Sequence, residues 1–351
     1  MTKKRILSGM RATGTLHLGN YLGAAKGMVA LQNDPNYETF YMVADLHALT
    51  TPFDVGELRK NRRNVIADYL AIGLDPERST LFFQSMVPEH VELAYYFSTL
   101  VSVARMQHLP TFKEKVKQYP ENVTMALLNY PVLMAADILV YQAELVPVGI
   151  DQEPHLEIAR EIARKLNQQY GLNFPEPKRF QTAGEYVPSL TGEGKMSKSV
   201  PGSFIALEDS LDIIKKKLAK VPTDSGKGRV EAIDDAKKPG YQAKKRYLDA
   251  VTNRESKGVL TLMTLVELFE GVDARKEYEQ AYESNGIRYG DLKFRLAEAI
   301  YNEIKPIQEK KKEILTQPNY LDEVITSGAK KARQAAGETV AMVKRAMGVG
   351  K

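Results

Sequence analysis

Through the first half of the chain, short apolar runs alternate with longer stretches whose apolar residues recur at helical spacing. Ile6-Leu7-Ser8, Phe40-Tyr41-Met42-Val43-Ala44, Thr80-Leu81-Phe82-Phe83-Gln84 and Leu145-Val146-Pro147-Val148 read as strands. The proline of the last run suits a strand end. Tyr21 to Leu31 and Val55 to Ile72 read as helices. The second puts Leu58, Val65, Tyr69 and Ile72 on one face and stops at Gly73. Another helix begins near Asp151, with Leu156, Ala159, Ile162, Ala163 and Leu166 as its stripe and Gly171 as its stop. Strand alternating with helix predicts an α/β fold, a parallel sheet with helices on both faces. After Ser199 the strand signals fade. Residues 208–220, 241–252, 256–271, 273–284 and 291–315 read as helical, and Pro222 to Gly240 as a polar loop.

Composition narrows the classes. Of 351 residues, 43% are hydrophobic and 26% charged, which excludes long disorder and coiled-coil rods. No run approaches the length of a membrane span, and the N-terminal residues lack the apolar core of a secretory signal. A cytoplasmic protein is expected. With no cysteine, disulfides, thiolate nucleophiles and Cys-ligated zinc are excluded. The net charge of +5 is uneven. Residues 210–260 hold 13 Lys/Arg against 7 Asp/Glu, and 301–351 hold 10 against 6. A basic back half suits an anionic partner. Solvated helix faces carrying Lys215-Lys216-Lys217 and Lys310-Lys311-Lys312 explain the same pattern.

Two short motifs carry chemistry. His17-Leu18-Gly19-Asn20 lies in the turn after the first strand, where an open parallel sheet binds nucleotides. Gly19 lets a ligand approach the backbone, and His17 and Asn20 offer hydrogen bonds. Lys195-Met196-Ser197-Lys198-Ser199 follows Gly192 and Gly194, so it reads as a mobile loop whose lysines and hydroxyls can grip phosphate. Taken singly, each also reads as an ordinary polar surface segment. Tyr130 to Leu139 is an apolar helical run that holds one carboxylate, Asp137, which is costly unless it finds a hydrogen bond or ion-pair partner. Asp151-Gln152 opens a helix, where capping explains it as well.

HLGN followed about 175 residues later by KMSKS resembles the paired signatures of class I aminoacyl-tRNA synthetases. YPVLMAADIL at 130–139, VPVGIDQEPHLEIAREIARKLN at 146–167, ADLHALT at 44–50, TFKEK at 111–115 and the closing AMGVGK are similar to the bacterial-type tryptophanyl-tRNA synthetases over essentially the whole chain. The tyrosyl enzymes are the near relative; there two adjacent glycines would precede the Asp-Gln pair, and here Val148-Gly149-Ile150 stands. A small-molecule nucleotidyltransferase and a plain RNA-binding protein are the further alternatives.

The resemblance implies a Rossmann-like catalytic domain over 1–200 and a mainly helical anticodon and tRNA-binding region over 201–351, its last helix packing back on the catalytic domain. It implies activation of L-tryptophan by ATP, with Mg2+ on the phosphates, and transfer to tRNA(Trp). A homodimer is implied, with neither a membrane nor DNA as partner. Lys115, Lys195, Lys198 and His17 would be catalytic. Arg11, Ala12, Thr13, Gly19, Asn20, Gly149, Ile150, Asp151, Val187 and the loop residues Lys195, Met196, Ser197, Lys198 and Ser199 would hold ATP. Asp137 would accept the indole N–H, with Tyr130, Met134, His47, Gln152, Val146 and Val148 around the substrate. No residue is assigned to a metal. Two departures stand out. Arg11-Ala12-Thr13-Gly14 occupies a loop where the family commonly has Gln-Pro-Ser/Thr-Gly, and Ile150 stands where an acidic residue is common.

Overall fold

The structure, a computed structural model, describes residues 3–181, 186–198, 200–227 and 254–350. Five strands form one parallel sheet: β1 (Lys4–Arg11), β2 (Tyr37–Ala44), β3 (Ser79–Phe83), β4 (Leu145–Pro147) and β5 (Lys178–Phe180). Their order is β3-β2-β1-β4-β5. The chain therefore winds one way from β1 to β3, then returns beside β1. The switch point lies between β1 and β4, and ligands of open parallel sheets bind outside the carboxyl ends there. The run Phe40–Ala44 is buried throughout because helices cover both faces of its strand.

The α/β expectation holds, with β5 as an addition. Only three residues long and mostly polar, Lys178–Phe180 carries no strand signal of its own. The first helix also begins earlier than its apolar pattern suggests. It runs as α1 (Leu18–Asn20), a π-helical turn over Tyr21–Ala25, and α2 (Lys26–Asn33). Such a turn shifts the helical face by one residue, so a single period cannot describe both halves. Next come α3 (Asp45–Ala48) and α4 (Val55–Ile72), whose cap is Asp54, accepting from the Glu57 amide at 2.8 Å. Then come α5 (Glu89–Ser98), α6 (Val103–Gln107) and α7 (Pro110–Gln118). The long α8 (Met125–Leu139) continues through Pro131, and α9 (Glu153–Tyr170) ends at Gly171. Beyond residue 200 lie α10 (Leu211–Ala219), α11 (Arg254–Glu270), α12 (Val272–Glu283), α13 (Tyr289–Leu315) and α14 (Pro318–Ala346). The helix expected over 241–252 lies outside the described residues.

The chain divides into two compact units that interleave in sequence. The first comprises Met1–Gly14, Gly27–Gln181 and Glu313–Lys351; the second comprises Thr15–Lys26 and Thr182–Lys312. Each unit draws on segments distant in sequence, and local bonding at both ends ties them in. In the first unit α14 lies along β3, burying Leu321, Val324, Ile325, Ala329, Ala332, Ala336, Val340 and Val343. The approach is close enough that a Cβ on Gly328 would collide with the Leu81 carbonyl. Ion pairs Arg333–Glu89 and Lys344–Glu92, at 3.1 and 2.9 Å, flank it. Part of the basic C-terminal charge is thus spent inside the fold.

In the second unit, the amide of Leu18 donates to the Ile205 carbonyl at 3.0 Å, and that of Leu207 to Leu16 at 2.9 Å. The segment after β1 is tied to residues 205–207 by these bonds. A separate small core of Val259, Met263 and Tyr282 lies beside Asp224, whose carboxylate accepts from the hydroxyls of Tyr282 and Tyr289.

Candidate active site

At the switch point of the first unit, β1 ends in Arg11. Its Nη2 donates to Thr51 Oγ1 at 3.1 Å, while its Nε–H is buried with no acceptor among the described residues. On α7, Lys115 Nζ donates to Gln118 Oε1 at 2.7 Å. Burial lowers the pKa of both groups, and the positive charge of Arg11 lowers that of Lys115 further. Two partly desolvated cations that repel each other are a receptacle for an anion. Ala12 is buried, and β4 leads into Val148, Gly149 and the single turn Ile150–Gln152. A Cβ on Gly149 would come within 2.5 Å of Asp151 Oδ1, so the carboxylate folds back over that glycine.

Asp137 on α8 has no exposed surface. The sequence shows a carboxylate in apolar company; the structure gives it three donors from other elements. Its Oδ1 accepts from Gln84 Nε2 at 2.8 Å and His90 Nδ1 at 2.6 Å, and its Oδ2 from His47 Nε2 at 2.8 Å. Burial alone would raise its pKa, but the bonds from both histidines outweigh that and bring it to about 2. Asp137 is therefore an ionised acceptor at neutral pH. Gln84 and His90 are not evident from the sequence, because nothing in their local pattern links them to a residue about fifty positions away. Val146 belongs to the core beneath, and Met134 and Val148 pack half-buried against it.

Beside this cluster, Gln152 Nε2 donates to Asp151 Oδ2 at 2.9 Å, which orients its amide. Gln152 Oε1 then accepts from His155 Nδ1 at 3.0 Å. That leaves the single lone pair of His155 Nε2 facing two hydroxyls, Thr111 Oγ1 and Tyr130, both at 2.9 Å. Tyr130 and Gln152, singled out from sequence, are thus joined through His155, which was visible there only as part of a longer string. Burial first, and the neighbouring His47 second, bring the His155 pKa down to about 4.

This sets a sign for stability against pH. A histidine whose folded pKa lies below its usual 6.5 contributes stability that is intact above 6.5 and lost as pH falls toward 4. Urea unfolding at pH 7 and pH 5 should show a loss of about 2 kcal/mol from His155. His155→Asn should be less stable at pH 7 yet show a correspondingly flatter pH dependence. An undiminished pH dependence in that variant contradicts the assignment.

In the second unit, His17 opens α1. The side chain of Asn20 turns back to accept from the His17 backbone amide at 3.2 Å, a local cap. A Cβ on Gly19 would lie 2.8 Å from His17 Cε1, so the glycine makes room for the imidazole itself. His17 Nδ1 is buried without a partner among the described residues. Burial, then the charges of Lys198 and Lys195, lower its pKa to about 4, so the ring is neutral at pH 7.

The lysine loop grows out of a hairpin. Ser189 donates to the Gly194 carbonyl and Met196 to the Val187 carbonyl, both at 2.9 Å. Ser203 Oγ donates to the Ser197 carbonyl at 2.5 Å, which ties the loop at its centre. Val187 and Met196 are buried beneath it. His17 thus shares its unit with Val187 and the loop, while Arg11, Ala12, Thr13, Lys115, Asp137 and Gly149–Gln152 belong to the other. Ser199 lies outside the described residues.

The family tRNA synthetases class I (W and Y) matches residues 2–304. A Tryptophan--tRNA ligase of Porphyromonas gingivalis is 38% identical, covering 98% of this chain and 98% of its own. The crystal structure of tryptophanyl-tRNA synthetase from Mycoplasma pneumoniae superposes with a TM-score of 0.83 at 30% identity, covering 99% of each chain. That from Campylobacter jejuni, complexed with ADP and tryptophan, gives 0.78 at 32% identity, covering 98% of this chain and all of its own.

Proposed function

Because the chain belongs to the class I tRNA synthetases of the tryptophan and tyrosine family and is a tryptophan–tRNA ligase within it, we propose how its residues divide that reaction. Tryptophan is activated with ATP to tryptophanyl-AMP, pyrophosphate is released, and the tryptophanyl group passes to tRNA(Trp). In the first step a carboxylate oxygen attacks the α-phosphorus and the bond to pyrophosphate breaks. In the second, the 3′-terminal ribose hydroxyl attacks the acyl carbonyl and AMP leaves. Neither step needs a covalent nucleophile from the protein, so catalysis rests on position and charge.

Lys195, Lys198 and Lys115 are assigned to the charge that moves onto pyrophosphate. Arg11, whose Nε–H has no acceptor among the described residues, is assigned to ATP. A neutral His17 offers a hydrogen bond rather than a charge. Ala12, Thr13, Gly19, Asn20, Gly149, Ile150, Asp151, Val187, Met196, Ser197 and Ser199 are assigned to the remainder of ATP. Mg2+ is assigned to the phosphates of ATP, as the family resemblance implies, where it would offset their charge.

The observation that carries the amino-acid assignment is the buried, ionised Asp137. An indole presents one N–H donor and no acceptor, which such an oxygen suits. Tyr130, Met134, His47, Gln152, Val146 and Val148 are assigned to the surrounding pocket. Homodimerisation is carried over from the family, as is a cytoplasmic setting. Among the described residues no helix is long and apolar enough to cross a membrane.

The helical region after residue 200 is assigned to tRNA. Not all of its lysines are available. Lys217 pairs with Asp209 at 2.5 Å, and Lys215 lies 3.9 Å from the centre of the Phe294 ring. Lys216 is exposed on the same helix, and Lys220 is exposed at its C-terminal cap. Changing both to Gln should raise KM for tRNA and reduce the slope of log affinity against log salt by about 1–2. ATP–pyrophosphate exchange without tRNA should not change. A wild-type salt slope would make this face merely solvated.

A further inference from the structure

We propose that His90 is a positioning residue for amino-acid choice: together with Gln84 it holds one oxygen of Asp137 so that the other faces the indole N–H. The proposal rests on the assignment of Asp137 to tryptophan made above.

The two carboxylate oxygens are not equivalent. Oδ1 takes two donors, Gln84 Nε2 and His90 Nδ1, while Oδ2 takes one, His47 Nε2. Each oxygen has about two lone-pair sites, so Oδ1 is filled and Oδ2 keeps one. The sides differ in burial as well. Gln84 and His90 are fully buried, whereas His47 retains 8% of its surface. The filled oxygen sits between two fully buried donors, and the oxygen with capacity lies beside His47, the one donor of the three that reaches the surface.

His90 is itself held. Its Nε2 lies 2.7 Å from the Tyr141 hydroxyl. That hydroxyl makes no other bond among the described residues, and burial keeps it protonated by raising its pKa well above the ordinary value. Its proton therefore goes to His90 Nε2, and the proton on Nδ1 is the one Asp137 receives. Phe40 stacks on the Tyr141 ring at 4.4 Å between centroids, and Phe82 meets both Tyr141 and His90 edge-on, at 5.9 and 6.1 Å. The imidazole has no room to turn. A relay from Tyr141 through His90 to Oδ1 thus fixes the carboxylate about its last torsion, an angle that hydrogen bonding to a ligand depends on steeply.

The test compares tryptophan with β-(3-benzothienyl)alanine, which carries sulfur in place of the indole N–H, in ATP–pyrophosphate exchange. The unsubstituted protein should prefer tryptophan by about tenfold or more, the worth of a hydrogen bond to a charged group. His90→Leu should raise KM for tryptophan about tenfold, leave KM for ATP unchanged, and shrink the preference to within about threefold. His90→Asn, whose amide N–H can stand where Nδ1–H was, should restore the preference. An undiminished preference in folded His90→Leu, or no recovery in His90→Asn, overturns the proposal. Should His90→Leu fail to fold, Tyr141→Phe, which loosens His90 without removing it, must still narrow the preference; an unchanged ratio there overturns it too. An unsubstituted protein with no preference overturns the Asp137 assignment itself, a result distinct from the others.

Discussion

Replacing Asp137 with Ala should cost both stability and amino-acid choice. The substitution leaves Gln84, His90 and His47 with donors aimed at a void. Breaking a buried, hydrogen-bonded charge cluster by removing one member typically costs about 3–5 kcal/mol. A carboxylate lacking partners would be removed at a gain, so the sign of the stability change separates the two descriptions. Thermal or urea unfolding reads it directly. On whatever protein folds, kcat/KM for tryptophan should fall by about 1.5–3 kcal/mol, the worth of a hydrogen bond to a charged group. The preference for tryptophan over phenylalanine should narrow, because phenylalanine no longer strands a buried charge. Asp137→Asn is the milder companion: it keeps the volume but faces three donors with an amide that can accept at only one atom. A variant that retains both wild-type stability and the wild-type Trp/Phe ratio would show that Asp137 has neither role.

Lys198→Ala should slow adenylate formation while leaving tryptophan binding close to wild type. The charge it answers develops as pyrophosphate leaves, so its contribution belongs to the transition state. Removing one such donor costs about 2–4 kcal/mol of barrier. Pre-steady-state adenylate formation should fall accordingly, with tryptophan affinity unmoved. A rate within about threefold of wild type, under ~1 kcal/mol, contradicts the assignment. A second readout follows from His17. Its pKa of about 4 is set first by burial and then by Lys198 and Lys195. The variant should titrate His17 higher by NMR, yet still below 6.5, because burial remains the larger cause.

Much of the sheet is legible in the sequence because its central strands are continuous apolar runs. Phe40 to Ala44 is buried on both faces, and no amphipathic helix presents such a run. α9 announces itself through Leu156, Ala159, Ile162, Ala163 and Leu166, all buried on one stripe. What escapes is structure decided at a distance. β5 is a strand because Glu144, Leu145 and Pro147 stand beside it, with the Lys178 amide donating to the Glu144 carbonyl. α14 joins the first unit because Gly328 lets it reach Leu81, more than two hundred residues away in sequence.

The site divides in the same manner. Asp137 and the HLGN and KMSKS segments stand out by residue type and motif, whereas Arg11 and Lys115 are pointed to only by the family resemblance. Their electrostatic state is evident from neither. That Asp137 is held ionised by two histidines, that His17 is neutral beneath two lysines, and that Gly19 accommodates the His17 ring all follow from contacts which local pattern does not encode. Composition also overstated the free charge of the back half. Arg333, Lys344, Lys311 and Lys217 are each engaged with a carboxylate, so fewer lysines than the count suggests face an outside anion.

Asp137 rewards the indole donor, and because a tyrosine hydroxyl can donate as well, pocket shape from Met134, Val146 and Val148 must turn tyrosine away. ATP–pyrophosphate exchange by the unsubstituted protein, run with tryptophan, with tyrosine and with no amino acid, measures this most directly. Exchange is expected with tryptophan, and a rate near background with the other two. Exchange that is as fast with tyrosine, or that proceeds with no amino acid, would contradict that expectation.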